Sequence, residues 1–460
     1  MVSPVRCFIH RCDSCIILVT KPVYTERNRN TMIHNITQFD NYDFNGGSLS
    51  SDGGSILLIR FIQKNHLLDS FDSLPFFDIR KTFIHSNESI LSQLIIRNLL
   101  GYFSQDEQEV LLHDPLLFNH SPVASQPSVS RFFDRVTRLT NVQFKHLLQK
   151  LTCTYINRYV ASPILDADST MVATDGKQEA ASFIHHCQET GYHPLVINEF
   201  HSKLLVSAQL RTGKSYSSNG IVEELREIMP MIQGKYSKHI RFRGDSAFYS
   251  DELMTYLEGM NCRYFIRTKS FSKLTNKITD ITSNRKIDIT QYTPQHPYYG
   301  EIRYRMTNST ATGRVCYKAY HVMDQHGQVS LLPVIYCVIT NQENGSPKSV
   351  MDFYEERGNS ENFTKELKDD FNGGKLSHRE FLKNEIEFLI SSLSYNIFHM
   401  FQNMILENDD RKIRMNTYRS KYQKIAVRVV KHARQVELHF SSAYPRQDLF
   451  NRYMNKVLLQ

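Results

Sequence analysis

Ile164-Leu-Asp-Ala-Asp-Ser-Thr-Met-Val172 is a short apolar run interrupted by two acids. Its aliphatic character over so few residues predicts a strand, and the two-residue period of a strand sends Asp166 and Asp168 to the same face. Further strands are predicted at Pro194-Leu-Val-Ile-Asn198 and Leu204-Leu-Val-Ser-Ala-Gln-Leu210. Ser218 or Asn219 then caps a helix running toward Met231, with Glu223 and Glu224 suiting the positive end of its dipole. Next come a strand at His239-Ile-Arg-Phe-Arg243, a turn at Gly244-Asp-Ser-Ala-Phe-Tyr249, a helix near Glu252 to Met260 and a strand at Arg263-Tyr-Phe-Ile266. Strands followed by strand-helix alternation indicate a mixed sheet flanked by helices, an α/β core.

On either side the pattern changes. From Gly53 to about Leu151 apolar residues recur at helical spacing, as in Ile56-Leu-Leu-Ile-Arg-Phe-Ile62 and Ile90-Leu-Ser-Gln-Leu-Ile-Ile96. From Thr268 to about Glu343 the chain is β-rich, with strands expected at Ile302–Met306, Val315–Val322 and Leu332–Ile339 and a turn at Asp324-Gln-His-Gly327. Helical periodicity returns at about Ser349 and runs through Glu361, then again from Glu380 to Leu406. The expected division is a poorly ordered leader over 1–52, a helical N-terminal domain over 53–160, and a core whose first part covers 161–267. A β-rich insertion over 268–343, the second part of the core over 344–407 and a basic C-terminal region over 408–460 complete it.

Composition narrows the function classes. At 460 residues two to four units are expected, and no run of about 18 apolar residues exists to span a bilayer. No export signal is read at the N-terminus, and the scattered cysteines argue for a reducing, cytoplasmic setting over a disulfide framework. Cys7, His10, Cys12 and Cys15 stand close enough to ligate zinc, but their spacing matches no established site. The formal charge is +8, and it is uneven: from Arg411 to Gln460 twelve Lys or Arg face only Glu437 and Asp448, with Tyr418, Tyr422 and Tyr444 among them. Such a basic, aromatic-bearing face is expected to meet a polyanion.

A third acid joins the two on the strand. In Tyr354-Glu-Glu-Arg-Gly-Asn-Ser-Glu-Asn-Phe-Thr-Lys-Glu-Leu-Lys368 a helix would group Arg357, Glu361, Lys365 and Lys368 on one side. Alone, this is equally a surface ion-pair ladder. With Asp245 just past a strand end, at the sheet edge where open α/β sheets bind ligands, three acids from distant segments could converge. Hard oxygen ligands of this kind suit Mg2+ or Mn2+, and two such ions can clamp both sides of an in-line phosphoryl displacement.

Asp168-Ser-Thr170, Arg243-Gly-Asp-Ser-Ala-Phe-Tyr249 and Tyr354-x2-Arg357-x3-Glu361-x6-Lys368 together resemble the DDE transposases of bacterial insertion sequences. The likeness is to the branch with a Tyr-Arg-Glu-Lys signature and a β-strand insertion between the second aspartate and the glutamate. It continues through Gly176-Lys-Gln-Glu179, Gly191-Tyr-His-Pro-Leu195 and Tyr395-Asn396. It implies a ribonuclease H-like mixed-sheet catalytic core with an inserted β-rich subdomain, and Asp168, Asp245 and Glu361 as a catalytic triad holding two Mg2+ ions, or Mn2+. Asp166 competes with Asp168 for the first position; the family pattern places the catalytic acid directly before Ser/Thr-Thr.

The resemblance also implies that Tyr354, Arg357 and Lys368 grip DNA phosphates, with Lys365 beside them, and that the partners are double-stranded transposon ends and target DNA. A homodimer on DNA, no membrane and a cytoplasmic, nucleoid-associated location are implied by the same analogy. His193 and Gln178 stay outside the catalytic set. The chain has no tryptophan, which relatives can use to stack a flipped base; Tyr304, Tyr317 and Tyr320 are the substitutes to consider. A nuclease without strand transfer and a non-catalytic DNA-binding regulator are the alternatives.

Overall fold

A computed structural model of the chain describes residues 42–104, 106–117, 122–174, 177–185, 187–233, 239–269, 271–305, 312–323, 328–433 and 435–459. The zinc candidates Cys7, His10, Cys12 and Cys15, Gly176 of the family-like motif and the turn at 324–327 lie outside the described residues. The chain divides into Met1–Leu49 and a compact unit from Ser50 to Gln460, and the central sheet and the helices around it belong to the second. Ser50 and Asp52, assigned to the leader from sequence, are buried members of it. Asp52 accepts the Tyr102 hydroxyl at 2.7 Å and pairs with Lys424 at 2.7 Å.

The front helices are α1 (Ile56–Lys64), α2 (Asn87–Leu100), α3 (Gln108–His113), α4 (Gln126–Phe133) and α5 (Arg138–Tyr159). Ser86 caps α2, and Thr137 with Thr140 forms a capping box at α5, so backbone donors at both N-termini are satisfied. The core strands are β1 (Ile164–Ser169), the short β2 (Val172–Ala173), β3 (Ser182–Ile184) and β4 (Glu189–Tyr192), then β5 (Leu195–Glu199) and β6 (Leu205–Gln209). Helix α6 (Ile221–Gln233), β7 (Arg241–Gly244), α7 (Asp251–Gly259), β8 (Arg263–Arg267) and α8 (Ser272–Asn284) come next. Then come β9 (Tyr298–Arg305), β10 (Thr312–Tyr320), β11 (Val334–Thr340), α9 (Pro347–Glu355), α10 (Asn359–Asp370), α11 (Phe381–Ile405), the hairpin β12 (Val427–Lys431) and β13 (Val436–Phe440), and α12 (Gln447–Leu459).

Eight strands form one mixed sheet in the order β9-β10-β11-β8-β7-β1-β5-β6. Strands β1, β5 and β6 run antiparallel in sequence, whereas β7 is parallel to β1 and β8 to β7. The β-rich stretch does not form a sheet of its own. Its strand β11 pairs antiparallel with β8, so β9 to β11 extend the central sheet. Helix α8, which was not anticipated, precedes them; Leu274 and Ile278 supply its buried face. The three-stranded sheet β2-β4-β3 was also unanticipated, because two- to four-residue strands leave no readable period.

Alternation along β1 sets the layers. Leu165 and Ala167 enter the core formed with Phe242, α6 and α7, while Asp166 and Asp168 face the opposite side, where α9 and α10 lie. A second core joins α1, α2 and α5 to α11, Tyr418, Tyr422 and α12. The front helices therefore share their core with the C-terminal half. Of the tyrosines expected on the C-terminal face, Tyr418 and Tyr422 are fully buried for the same reason, as is Tyr453, and Tyr444 is half-buried. Arg419 is buried too, donating to the carbonyls of Asn98 and Leu99 at 2.8 and 3.0 Å and of Asp370 at 2.8 Å, near the C-termini of α2 and α10. A cation there serves carbonyls at helix ends, the Asn98 carbonyl also accepting the Gly101 amide at 3.1 Å. Arg428 and Lys431, on the hairpin, remain exposed.

Candidate active site

The parallel pairing of β1 with β7 places Asp166 opposite Arg243 and Ala167 opposite Gly244. One step further along each strand come Asp168 and Asp245, on strands that neighbour each other at about 4.8 Å spacing. Asp245 ends β7 as the cap of the turn Ser246–Phe248, its Oδ1 accepting the Ala247 amide at 2.8 Å. Glu361 lies in the first turn of α10 and is exposed. Between α9 and α10 the chain makes a single 3-10 turn, Glu356–Gly358, so Tyr354, Arg357 and Glu361 succeed one another without a loop.

The three acids share a field. Burial pushes the Asp168 carboxyl up to about 6; Arg357 opposes that shift, and Asp245 and Glu361 both add to it. Burying a carboxylate beside two others disfavours its charge, the situation that a bound cation relieves. The all-oxygen donor set is the chemistry that Mg2+ or Mn2+ takes. As the side chains stand, however, no group of three acids, histidines or cysteines among the described residues is close enough to hold an ion.

Asp166 is fully engaged elsewhere. It is completely buried, receives Arg243 in a bidentate pair at 2.6 and 2.8 Å, and accepts the Ser360 hydroxyl at 2.6 Å. Asp168 is the member of the pair that keeps some exposure, 16% of its side chain.

Of the residues expected on DNA, Arg357 turns inward. It is buried, and its Nη2 donates to Asp168 Oδ1 and to the Ala167 carbonyl, both at 3.2 Å. Burial works against its charge, but Asp168, Tyr354, Asp245 and Asp166 outweigh it and hold the guanidinium above its usual range. Lys368 reaches back to the end of β1, donating to the Met171 carbonyl at 2.8 Å and Thr170 Oγ1 at 3.4 Å. Lys365 is exposed. Burial raises the Tyr354 phenol, with Arg357 opposing.

Tyr354 and Arg357 line a cavity of about 330 Å3 with Arg267, Lys318 and Tyr336. Tyr336 was not named from sequence; both Arg267 and Lys318 lie over its ring, at 4.7 and 5.3 Å. No sequence period singles Tyr336 out, since β11 carries no cation and Arg267 lies on β8. Of the stacking candidates, Tyr304 and Tyr317 are core residues and present no open face. Tyr320 is half-buried and stacks on Tyr336 with centroids 6.3 Å apart. His193 is buried with its Nδ1 2.9 Å from the Ser215 carbonyl, and Gln178 donates to the Leu376 carbonyl at 2.7 Å, both structural bonds.

Residues 40–459 match the family model of the transposase DDE domain, group 1. The chain belongs to the DDE transposases. Among solved structures this transposase chain is similar to a piggyBac transposase synaptic complex with hairpin DNA determined by cryo-EM, at 10% identity and a TM-score of 0.43 over 89% of this chain and 82% of that one. None of the curated proteins matches it in sequence. DDE transposases generally use divalent metal ions. Among the described residues, no helix of this transposase is long and apolar enough to cross a membrane.

Proposed function

We propose that the chain is a DNA transposase that binds the inverted ends of its element, hydrolyses a phosphodiester to expose a 3′ hydroxyl, and directs that hydroxyl at target DNA. The observation that carries this reading is the match of residues 40–459 to the transposase DDE domain, together with the β1–β7 register that brings Asp168 and Asp245 to the same end of two paired strands. The strand order β6-β5-β1-β7-β8, three antiparallel strands followed by two parallel ones, supports reading this part as a ribonuclease H-like core extended by β9 to β11.

Asp168, Asp245 and Glu361 would hold the divalent ions, two Mg2+ or Mn2+, which supply an activated attacking oxygen and neutralise charge on the leaving one. The protein residues around them do the positioning. Lys365 offers an exposed cation to a phosphate, and Lys368 reaches the end of β1 that carries Asp168. Tyr354 presents a hydroxyl beside the Arg267–Lys318–Tyr336 cavity. Arg357 balances Asp168 until DNA and ions arrive, and then becomes available to a phosphate as a bidentate donor. Pairing two DNA ends calls for a homodimer on DNA.

The Arg357–Asp168 contact also fits a regulator that binds DNA and no longer cuts it. Incubation of the full chain with labelled element ends, Mg2+ and a supercoiled target separates the readings. Cleavage with joining is the expected result. Cleavage without joining would leave a nuclease, and specific binding alone would leave the regulator.

A further inference from the structure

We propose that Asp166, Arg243 and Ser360 form a buried positioning network that sets the three proposed metal-binding acids against one another. The inference rests on the reading of Asp168, Asp245 and Glu361 as the metal site. Each member of the network stands just before one of those acids in sequence: Asp166 two residues before Asp168, Arg243 two before Asp245, and Ser360 immediately before Glu361.

The geometry makes the three a single unit. Arg243 is fully buried, and its fork is saturated in direction: Nε and Nη2 go to the two oxygens of Asp166 at 2.6 and 2.8 Å, and Nη1 to the Phe353 carbonyl at 2.7 Å near the end of α9. Its guanidinium lies over the rings of Phe200 and Phe353, at 4.4 and 5.0 Å, and Glu356 stands 3.7 Å from Nη1. Ser360, also buried, brings the start of α10 onto the same Asp166 oxygen at 2.6 Å. Asp166 and Arg243 are direct Cα partners in the β1–β7 pairing. Since side chains two apart on a strand share a face, fixing Asp166 fixes the direction of Asp168, and Arg243 does the same for the backbone leading to Asp245.

A buried ion pair is weak evidence for stability, because a well-packed apolar pair can do as well. What a fork of fixed geometry supplies is register, here between two strands and the helix that bears Glu361. Partners behind a metal ligand typically change metal affinity by about 10- to 100-fold when removed.

The test is Mn2+ uptake by the full chain, followed as loss of free-ion signal in electron paramagnetic resonance, which needs neither DNA nor turnover. Glu361→Gln is the reference and should lose tight uptake. Ser360→Ala, measured well below its melting temperature, should raise the half-saturating Mn2+ concentration by about tenfold. Ser360→Cys, which keeps the volume and weakens the donor, gives the same readout should the alanine variant not fold. A purely structural role would lower the melting temperature and leave Mn2+ affinity unmoved, which overturns the positioning network while the metal site stands. Uptake unchanged in Glu361→Gln, or absent from the wild-type chain, removes the metal-site reading and the network with it.

Discussion

Asp168 is pulled in two directions, upward in pKa by burial and its acidic neighbours and downward by Arg357. Divalent ions that bind the folded chain and not the unfolded one stabilise it by mass action. Millimolar Mn2+ should therefore raise the wild-type melting temperature by a few degrees and leave that of Glu361→Gln unmoved; equal shifts in both would place the ion elsewhere. The cations beside the site divide by exposure. Lys365 faces solvent, so Lys365→Ala should weaken DNA binding and reduce the slope of log affinity against log salt by about 0.9, one phosphate's worth of counterion release. Arg357→Ala should leave that slope unchanged in initial binding, because the guanidinium is already committed to Asp168. A reduced slope for Arg357→Ala would show that Arg357 meets phosphate from the outset.

At the scale of elements, α11 and the turn before it carry opposed titrations. Burial pushes Glu387 up to about 7 from 4.5, with Arg97 opposing, and lowers His378, 3.8 Å away, to about 4 from 6.5. Between pH 4.5 and 7 the folded chain holds the Glu387 proton more tightly than the unfolded one, so that contribution falls as pH rises. Neutral His378 has the opposite sign, and its contribution is lost as pH falls from 6.5 toward 4. Glu387→Gln should melt higher than wild type at pH 8, with the gap closing by about pH 4.5; a gap independent of pH would exclude Glu387 as its source.

The strands and long helices were legible because their periods are strong: β1, β5, β6, β7, β8 and α11 all fall close to their sequence-based positions. The sheet pairing was not legible. Nothing in the sequence of β11 says that its neighbour is β8, and an insertion is read as a separate body until that ladder is seen. Backbone contact between distant segments was equally hidden. A Cβ at Gly54 would lie 1.6 Å from the Tyr422 carbonyl oxygen, so Gly54→Ala should lower the stability measured in urea by about 1–3 kcal/mol. An unchanged midpoint would mean that the front helices do not lean on the C-terminal segment.

Across the whole molecule, the basic C-terminal region is structural before it is anything else. Its charge pattern was visible, but whether tyrosines face DNA or the core depends on burial, and Tyr418, Tyr422 and Tyr453 are core. A chain ending at Leu406 should lose its cooperative thermal transition instead of merely binding DNA less tightly; a normal transition would contradict the shared core. The three acids are proposed from spacing and motif, whereas the engagement of Asp166 by Arg243 and Ser360, which leaves Asp168 as the partly exposed acid, needed three dimensions. The most direct measurement is single-turnover strand cleavage, with Mg2+, of DNA carrying the element's ends by the wild-type chain and by Asp168→Asn, Asp245→Asn and Glu361→Gln. Loss of cleavage in all three with end binding retained is the predicted result, and wild-type cleavage by any one of them would contradict the three-acid site.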